Sequence, residues 1–178
     1  MSLQSEPASF VAETRDLPDG LPGRGRVMIT EIDVEFGECD PAQIVFYPNY
    51  FTYFDRATWR LFASVGLPRS VMHERFGVPG QPIAKAEISF HAPATAFQRL
   101  TIESRVVRWG NASFDVGHRI RHADGQLVAE GKETRVWVAH DPTRKIGHMS
   151  ASRIPDAVIA LFGGRRAGHA AGDDDGGA

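Results

Sequence analysis

Hydrophobic and polar residues alternate along residues 27–36, and this alternation predicts the first strand. The alternate positions on one face are Met28, Thr30, Ile32, Val34 and Phe36, and the acidic residues between them are Glu31, Asp33 and Glu35. Successive side chains of a strand point to opposite faces. The segment is therefore predicted to be a strand with one face buried and the other in water.

Over residues 49–65 the period changes to three or four residues, which predicts one long amphipathic helix. The apolar stripe comprises Tyr50, Phe54, Ala57, Leu61 and Val65, with Arg56 and Arg60 off the stripe. Gly66 and Pro68 follow this stripe and are expected to end the helix. Two shorter helices are predicted at 71–76 and 154–162.

The remaining ordered chain is predicted to be a run of antiparallel strands. Four segments with strand-like composition lie at about 82–92, 99–109, 113–122 and 126–140. Two of the turns between them, Gly110-Asn111 and Asp124-Gly125, are strong hairpin signals. This pattern alone predicts an α+β fold with an antiparallel sheet.

Composition favours one ordinary globular domain flanked by two tails. The chain has 178 residues, 42% of them hydrophobic, which is enough for one core. Segments 1–26 and 163–178 are rich in Gly, Pro, Ala or charge without periodicity, and are predicted to be a flexible extension and a disordered tail. The domain is therefore expected to span 27–162.

Charge and hydropathy exclude several partners. The net charge of −2 provides no basic field for nucleic acid. No apolar run approaches the roughly 18 residues that span a bilayer, so no membrane partner is expected. The first residues do not resemble a signal peptide, and we expect a cytoplasmic protein.

The histidines and the single cysteine do not predict a metal site. His118 and His122 are the one pair at short spacing, but on a strand they would lie about 13 Å apart, too far to share an ion. Cys39 has no histidine near it in the sequence and is predicted to be a buried spacer. We therefore predict no metal and no cofactor.

The loop between the first strand and the long helix carries the candidate chemistry. It reads Glu35-Phe36-Gly37-Glu38-Cys39-Asp40-Pro41-Ala42-Gln43-Ile44-Val45-Phe46-Tyr47-Pro48-Asn49-Tyr50. Pro48 marks the helix start, so free N–H groups and the positive end of the helix dipole should lie near Asp40. A carboxylate and N–H groups in that arrangement can attack a carbonyl and hold the resulting oxyanion. Without this context, Asp40-Pro41 is more typical of a turn in which the aspartate caps its own backbone.

This loop closely resembles the active-site loop of the 4-hydroxybenzoyl-CoA thioesterase family, whose pattern is roughly E-F-G-x-C-D-P-A-x-I-V-x-Y-P-N-Y. Further similarities are Gly66-Leu67-Pro68, Pro82-Ile83-Ala84 and Ala86-Glu87-Ile88-Ser89-Phe90. The resemblance covers residues 27–162 and implies a hot-dog fold, in which an antiparallel sheet of about five strands wraps around one long central helix. It also implies a homodimer or a dimer of dimers, with sites at the subunit interface.

The activity that the resemblance implies is acyl-CoA hydrolysis, and an aryl-CoA of the benzoyl or hydroxybenzoyl type, as in aromatic degradation, is the expected substrate. Asp40 would be the catalytic carboxylate, as nucleophile or as general base, and the Tyr47 backbone N–H would be the oxyanion donor. Phe46 and Asp55 are predicted to contact the acyl group, although Asp55 could instead orient a partner across the dimer or be a helix-surface acid. The aromatic residues suited to an aryl group are Phe46, Tyr47, Phe51, Phe54 and Trp59.

Binding of the CoA phosphates is where the sequence departs from the family. The family's turn between its third and fourth strands is rich in Arg and Lys, whereas the turn here is Trp109-Gly110-Asn111-Ala112-Ser113. The predicted substitutes are Arg105 and Arg108 with Ser113, and Arg119 and Arg121 are further candidates, because guanidinium groups bind phosphate well. A solvated sheet face would also explain these arginines.

Two other functions stay open at this point. A thioesterase for short or medium aliphatic acyl-CoA, or for acyl carrier protein, would share the aspartate loop and the long helix. A non-catalytic acyl-CoA-binding hot-dog module would bind CoA thioesters without turnover and would tolerate loss of Asp40. Dehydratases of this fold are disfavoured, because no histidine lies in the loop or the helix.

Overall fold

A five-stranded antiparallel sheet and one long helix form the centre of the computed structural model, which describes residues 25–167 except 142 and 144–147. The sheet contains β1 (Val27–Asp33), β2 (Ile83–Phe90), β3 (Arg99–Trp109), β4 (Ser113–His122) and β5 (Leu127–Val136), in the spatial order β1-β3-β4-β5-β2. The helices are α1 (Pro48–Ser64), α2 (Arg69–Phe76) and α3 (Asp156–Leu161). A separate pair of strands comprises β6 (Val138–His140) and β7 (Met149–Ala151).

Helix α1 lies across one face of the sheet and contacts β1, β3, β4 and β5. The predicted apolar stripe is the buried one, with Tyr50, Phe54, Ala57 and Leu61 all in the core. The ring of Phe54 stacks on His118 of β4 with centroids 4.4 Å apart. Gly131 of β5 permits this approach, because a Cβ at that position would lie 2.6 Å from the Phe54 ring.

Two of the predicted strands end earlier than expected. Strand β1 stops at Asp33, and Phe36, predicted to be buried, lies in a short 3₁₀ turn with 75% of its surface exposed. The reason is a local capping contact, since the Glu35 N–H donates to Glu38 Oε2 at 2.9 Å. The predicted strand 126–140 breaks at Trp137, whose N–H donates to the Ala112 carbonyl and whose side chain enters the core.

Residues just outside the predicted domain boundaries are hydrogen-bonded to the domain at both ends. The Arg26 N–H donates to the Phe162 carbonyl at 2.8 Å, and the Ala167 N–H donates to the Trp109 carbonyl at 2.7 Å. Residues 163–167 are thus fastened to the domain, while the rest of both predicted tails lies outside the described residues. None of the helices within 25–167 that the structure describes is long and apolar enough to span a membrane. The cytoplasmic location stays a prediction.

Candidate active site

Asp40 lies in a tight turn between β1 and α1. Its Oδ1 accepts the Ala42 N–H at 2.8 Å, and its carbonyl accepts the Gln43 N–H at 2.8 Å. Gln43 adopts a left-handed φ of 64°, and the Asp40 N–H closes the turn on the Ile44 carbonyl. The aspartate therefore does cap its own backbone, as the Asp-Pro pair indicates. Its second oxygen makes no hydrogen bond to the described part of the chain, so the carboxylate is also available for chemistry.

Glu38 fastens this turn to the helix. Its Oε2 accepts the Tyr53 hydroxyl at 2.7 Å, and its carbonyl accepts the Asn49 Nδ2 at 2.8 Å and the Phe46 N–H at 2.9 Å. Burial and the bond to Glu38 raise the pKa of Tyr53, so its hydroxyl stays a proton donor. This contact between Glu38 and the helix was not predicted from the sequence. Glu35 and Glu38 have the three-residue spacing of a capping box, but that spacing gives no indication that Glu38 also binds Tyr53.

The start of α1 presents an unpaired backbone donor. Tyr47 is the N-cap residue, and Pro48 at the first helical position has no N–H. The N–H groups of Asn49 and Tyr50 donate to the Phe46 and Tyr47 carbonyls at 2.9 and 3.2 Å. The Tyr47 N–H has no acceptor among the described residues, and it lies at the positive end of the helix dipole.

Asp40 and Tyr47 border the same cavity, which has a volume of about 420 Å³. Its walls are mainly apolar, and the aromatic residues that line it include Phe46, Tyr47, Tyr50 and Phe90. The Tyr50 and Phe90 rings meet edge to face with centroids 5.2 Å apart. The cavity is therefore bordered by an acidic residue, by the residue at the helix start and by an aromatic surface.

Part of the cavity wall is formed by the end of β2 and the residues that follow it. This contribution was not predicted from the sequence. Phe90, His91 and Pro93 line the cavity. The His91 N–H donates to the Val128 carbonyl at 2.8 Å, so sheet pairing brings this segment to the loop. A contact across some fifty residues leaves no local signal in the sequence. The observation that no histidine lies in the loop or the helix holds, yet His91 reaches the cavity from β2.

Asp40 also borders a second cavity, of about 630 Å³. Phe36 and Phe97 line it, with 75% and 82% of their surfaces exposed. Phe97 adopts a left-handed φ of 68°, an unfavourable conformation for an aromatic residue. Asp40 thus lines both cavities.

Only part of the predicted aromatic set lies at the site. Phe46 and Tyr47 border the Asp40 cavity, with ring centroids 5.2 Å apart. Phe54 is fully buried under the sheet, and the ring of Trp59 packs beneath the Arg69 guanidinium at 4.7 Å. Phe54 and Trp59, predicted to suit an aryl group, are therefore not among the residues that line the Asp40 cavity, because Phe54 lies in the core and Trp59 is partly buried against it. Cys39 is half-buried beside that core.

Asp55 is more than a helix-surface acid. Its Oδ1 accepts a hydrogen bond from Arg135 Nη2 at 2.8 Å, and Arg135 is buried with 1% of its side chain exposed. Arg135 also donates to Glu133 Oε2 through Nε and Nη2, at 3.0 and 2.7 Å. Asp55 lies eight residues beyond Tyr47, about 12 Å along the helix, and is not one of the described residues that line the Asp40 cavity.

His118 completes this buried polar group. Its Nδ1 lies 2.9 Å from Ser104 Oγ, and its Nε2 lies 3.6 Å from Glu133 Oε2. Burial lowers the pKa of His118, so the ring is neutral near pH 7. Burial also opposes ionisation of Glu133, but His118 and Arg135 outweigh it and lower the pKa of Glu133. The centre of the domain therefore holds an ionised Glu133–Arg135 pair.

The arginines predicted to bind CoA do not reach the Asp40 cavity within one chain. Arg105 is only 5% exposed, and Arg108 is paired with Asp115 through two hydrogen bonds of 2.8 and 3.1 Å. Ser113 lies 3.4 Å from Arg108 Nη2. Arg99 pairs with Asp33 beside the loop, and Arg108 lies nine residues further along β3, about 30 Å away.

Comparison with known proteins identifies the family. The family model described as the thioesterase-like superfamily matches residues 34–162. The chain belongs to this superfamily. It is 38% identical over 134 residues to 4-hydroxybenzoyl-CoA thioesterase of Pseudomonas sp. (strain CBS-3), covering 72% of this chain and 92% of that protein. The predicted family is therefore confirmed.

Solved structures agree with this assignment. A 4-hydroxybenzoyl CoA thioesterase mutant complexed with 4-hydroxybenzoyl CoA matches with a TM-score of 0.70 and 33% identity, covering 76% of this chain and 98% of that one. A gentisyl-coenzyme A thioesterase matches with a TM-score of 0.63 and 30% identity, covering 76% and 98%. These similarities, with the five-stranded sheet across α1, confirm the predicted hot-dog fold.

Proposed function

We propose that this protein hydrolyses an aryl-CoA thioester, of the benzoyl or hydroxybenzoyl type, to the free acid and CoA. The observation that carries the proposal is that Asp40 and Tyr47, whose N–H has no acceptor among the described residues, line one cavity with aromatic walls. The names of the similar proteins support it, since they are thioesterases of hydroxybenzoyl-CoA and gentisyl-CoA. Aromatic walls favour a flat aryl group through edge-to-face and stacked contacts.

In the proposed reaction the Asp40 carboxylate attacks the thioester carbonyl carbon, or removes a proton from the water that attacks it. The carbonyl oxygen becomes an oxyanion and accepts a hydrogen bond from the Tyr47 N–H. One such donor contributes on the order of 3 kcal/mol to the transition state. The carbon–sulfur bond then breaks, and CoA leaves as the thiolate. On the route of direct attack this leaves a mixed anhydride on Asp40, which water then hydrolyses to release the acid and restore the carboxylate. Both routes need the charge on Asp40.

Asp40 lines two cavities, which supports this proposal. A thioester has an acyl arm and a pantetheine arm that extend in different directions from the carbonyl carbon. The 420 Å³ cavity with Phe46, Tyr50 and Phe90 would hold the aryl arm. The larger, 630 Å³ cavity beside Phe36 and Phe97 would accept the pantetheine arm. Asp55, anchored by Arg135, lies outside the aryl cavity of the same chain and would instead orient a partner across the dimer.

We further propose a homodimer, or a dimer of dimers, that forms through β2. This strand lies at the edge of the sheet, and Ile83 and Phe90 at its ends are 47% and 50% exposed. A long edge strand with exposed apolar residues favours pairing with another strand. Phe90 also borders the Asp40 cavity, so a partner there would complete the site. Light scattering that gives a monomer mass would contradict the proposal.

A panel of CoA thioesters tests the substrate class. The expected result is a kcat/KM for benzoyl-CoA or 4-hydroxybenzoyl-CoA at least about tenfold above that for acetyl-, hexanoyl- or palmitoyl-CoA, because aryl contacts add to transition-state binding. Free-thiol release measures each rate. Turnover of aliphatic esters alone would favour the aliphatic thioesterase instead. Binding of these thioesters without turnover of any would leave a non-catalytic module.

A further inference from the structure

Three arginines meet at a cavity of about 480 Å³ beside the Gly110-Asn111 turn, away from the candidate active site. They are Arg153, Arg165 and Arg166, and we refer to them as the arginine cluster. One carboxylate, that of Asp156, borders the same cavity. Three guanidinium charges against one carboxylate leave two positive charges uncompensated among the described residues of this cavity.

Arg166 is the fixed member of the cluster. Its Nη1 donates to the Gly110 carbonyl at 2.6 Å, and its Nη2 donates to the Ile154 carbonyl and to Asp156 Oδ1, both at 2.7 Å. Next to it, Gly164 packs so closely on Trp109 that a Cβ would lie 2.5 Å from the indole Nε1. The segment that carries Arg165 and Arg166 is therefore held in place rather than trailing from the domain.

The other two members have donors to spare. Arg165 is exposed and makes no hydrogen bond or ion pair within the part of the chain that the structure describes. Arg153 makes one contact, from Nη2 to Asp156 Oδ2 at 2.6 Å, and its side chain is 59% exposed. Each guanidinium has five N–H donors, so most of those on Arg153 and Arg165 are available to a ligand.

We infer that the arginine cluster binds the phosphate groups at the nucleotide end of a CoA thioester. Guanidinium groups bind phosphate through paired hydrogen bonds, and two uncompensated charges suit a doubly charged group. Ile159 and Ala160 give the cavity an apolar wall against which a base can pack, and its volume is in the range of small-molecule sites. The inference rests on the proposed function insofar as CoA thioesters are the substrate.

The topology indicates whether the arginine cluster lies near the active site of its own subunit or near that of the partner subunit. Trp109 ends β3 beside the cluster, and this is the end of the sheet at which β2 starts with Ile83. The Asp40 loop lies at the opposite end, about 30 Å along β3. A two-fold β2–β2 contact is antiparallel, so it brings the partner's Phe90 end to this chain's Ile83 end. The cluster then serves the thioester in the partner's Asp40 cavity.

The double variant R153Q/R165Q tests the inference, since both side chains are exposed. We expect the KM for benzoyl-CoA to rise about tenfold or more, with kcat within about twofold, because charge-assisted bonds to phosphate are lost. The KM for the N-acetylcysteamine thioester of benzoate, which has no nucleotide, is expected to stay unchanged. Arg75→Gln, an exposed arginine on α2, is the matched control and should leave both KM values unchanged.

An unchanged KM for benzoyl-CoA in R153Q/R165Q, or an equal rise for both thioesters, would overturn the inference. If the wild-type protein hydrolyses no thioester, the proposed function fails, but calorimetric titration with free CoA still tests the cluster. A loss of CoA affinity in R153Q/R165Q and not in R75Q would support it. Equal CoA affinity in all three proteins, or inorganic phosphate binding as tightly as CoA, would overturn it.

Discussion

Asp40→Asn is expected to lower kcat for an aryl-CoA thioester by a factor of about 100 or more, with KM within about threefold of the wild-type value. The amide cannot attack the carbonyl carbon or accept a proton from water, so both routes fail. Its oxygen can still accept the Ala42 N–H, which keeps the turn around residue 40 in shape. The loss therefore reports the missing charge rather than a disturbed loop. Steady-state free-thiol release measures both constants.

Asp124→Asn is the matched control for this substitution. Asp124 makes the same local contact, since its Oδ1 accepts the Gln126 N–H two residues on at 2.9 Å, but it lies in the β4–β5 hairpin. The control is expected to retain the wild-type kcat. If Asp40→Asn kept more than a tenth of the wild-type kcat, Asp40 would be a turn residue and another group would have to activate the thioester.

Segments with a clear period and strong turn signals were predictable from the sequence. The bounds of β3 and β4 agree with the prediction, because Gly110-Asn111 and Asp124-Gly125 fix both hairpins locally. Helix α1 is shifted by one residue at each end. The predicted strand ends are wrong where a contact that the hydrophobic pattern does not encode changes the backbone. Phe36 lies outside β1 because the Glu38 side chain caps the backbone of residue 35. Trp137 lies outside β5 because its side chain is buried in the core.

The candidate site also contains residues that could be predicted from the sequence and residues that could not. Asp40 and Tyr47 are close in sequence, and the helix start that Pro48 marks is enough to predict that they lie near each other. His91 reaches the cavity only through sheet pairing, which no local pattern encodes. Arg165 and Arg166 were missed for another reason: a Gly- and Ala-rich segment without periodicity is typical of a disordered tail. Its attachment depends on backbone carbonyls near Gly110, and backbone acceptors leave no signature in a sequence.

Arg135→Met is expected to lower the free energy of unfolding by about 3–5 kcal/mol, because it leaves the Glu133 carboxylate buried without its charge partner. Glu133 is fully buried, and its Oε1 already has no hydrogen-bond partner among the described residues. Methionine fills most of the space of the arginine stem, so the loss reflects charge more than volume. Urea unfolding followed by circular dichroism measures the difference.

The double variant E133L/R135M separates the charge effect from the packing effect. It removes both members of the buried pair, and Asp55, which is 47% exposed, can then be solvated by water. Replacing a buried ion pair with apolar residues of similar size is often neutral or stabilising. The double variant is therefore expected to be more stable than Arg135→Met alone, even though it carries one more substitution. A double variant that was less stable than Arg135→Met would contradict this explanation. It would show that Glu133 does not depend on the charge of Arg135, and that packing around Thr58 and His118 determines the loss of stability.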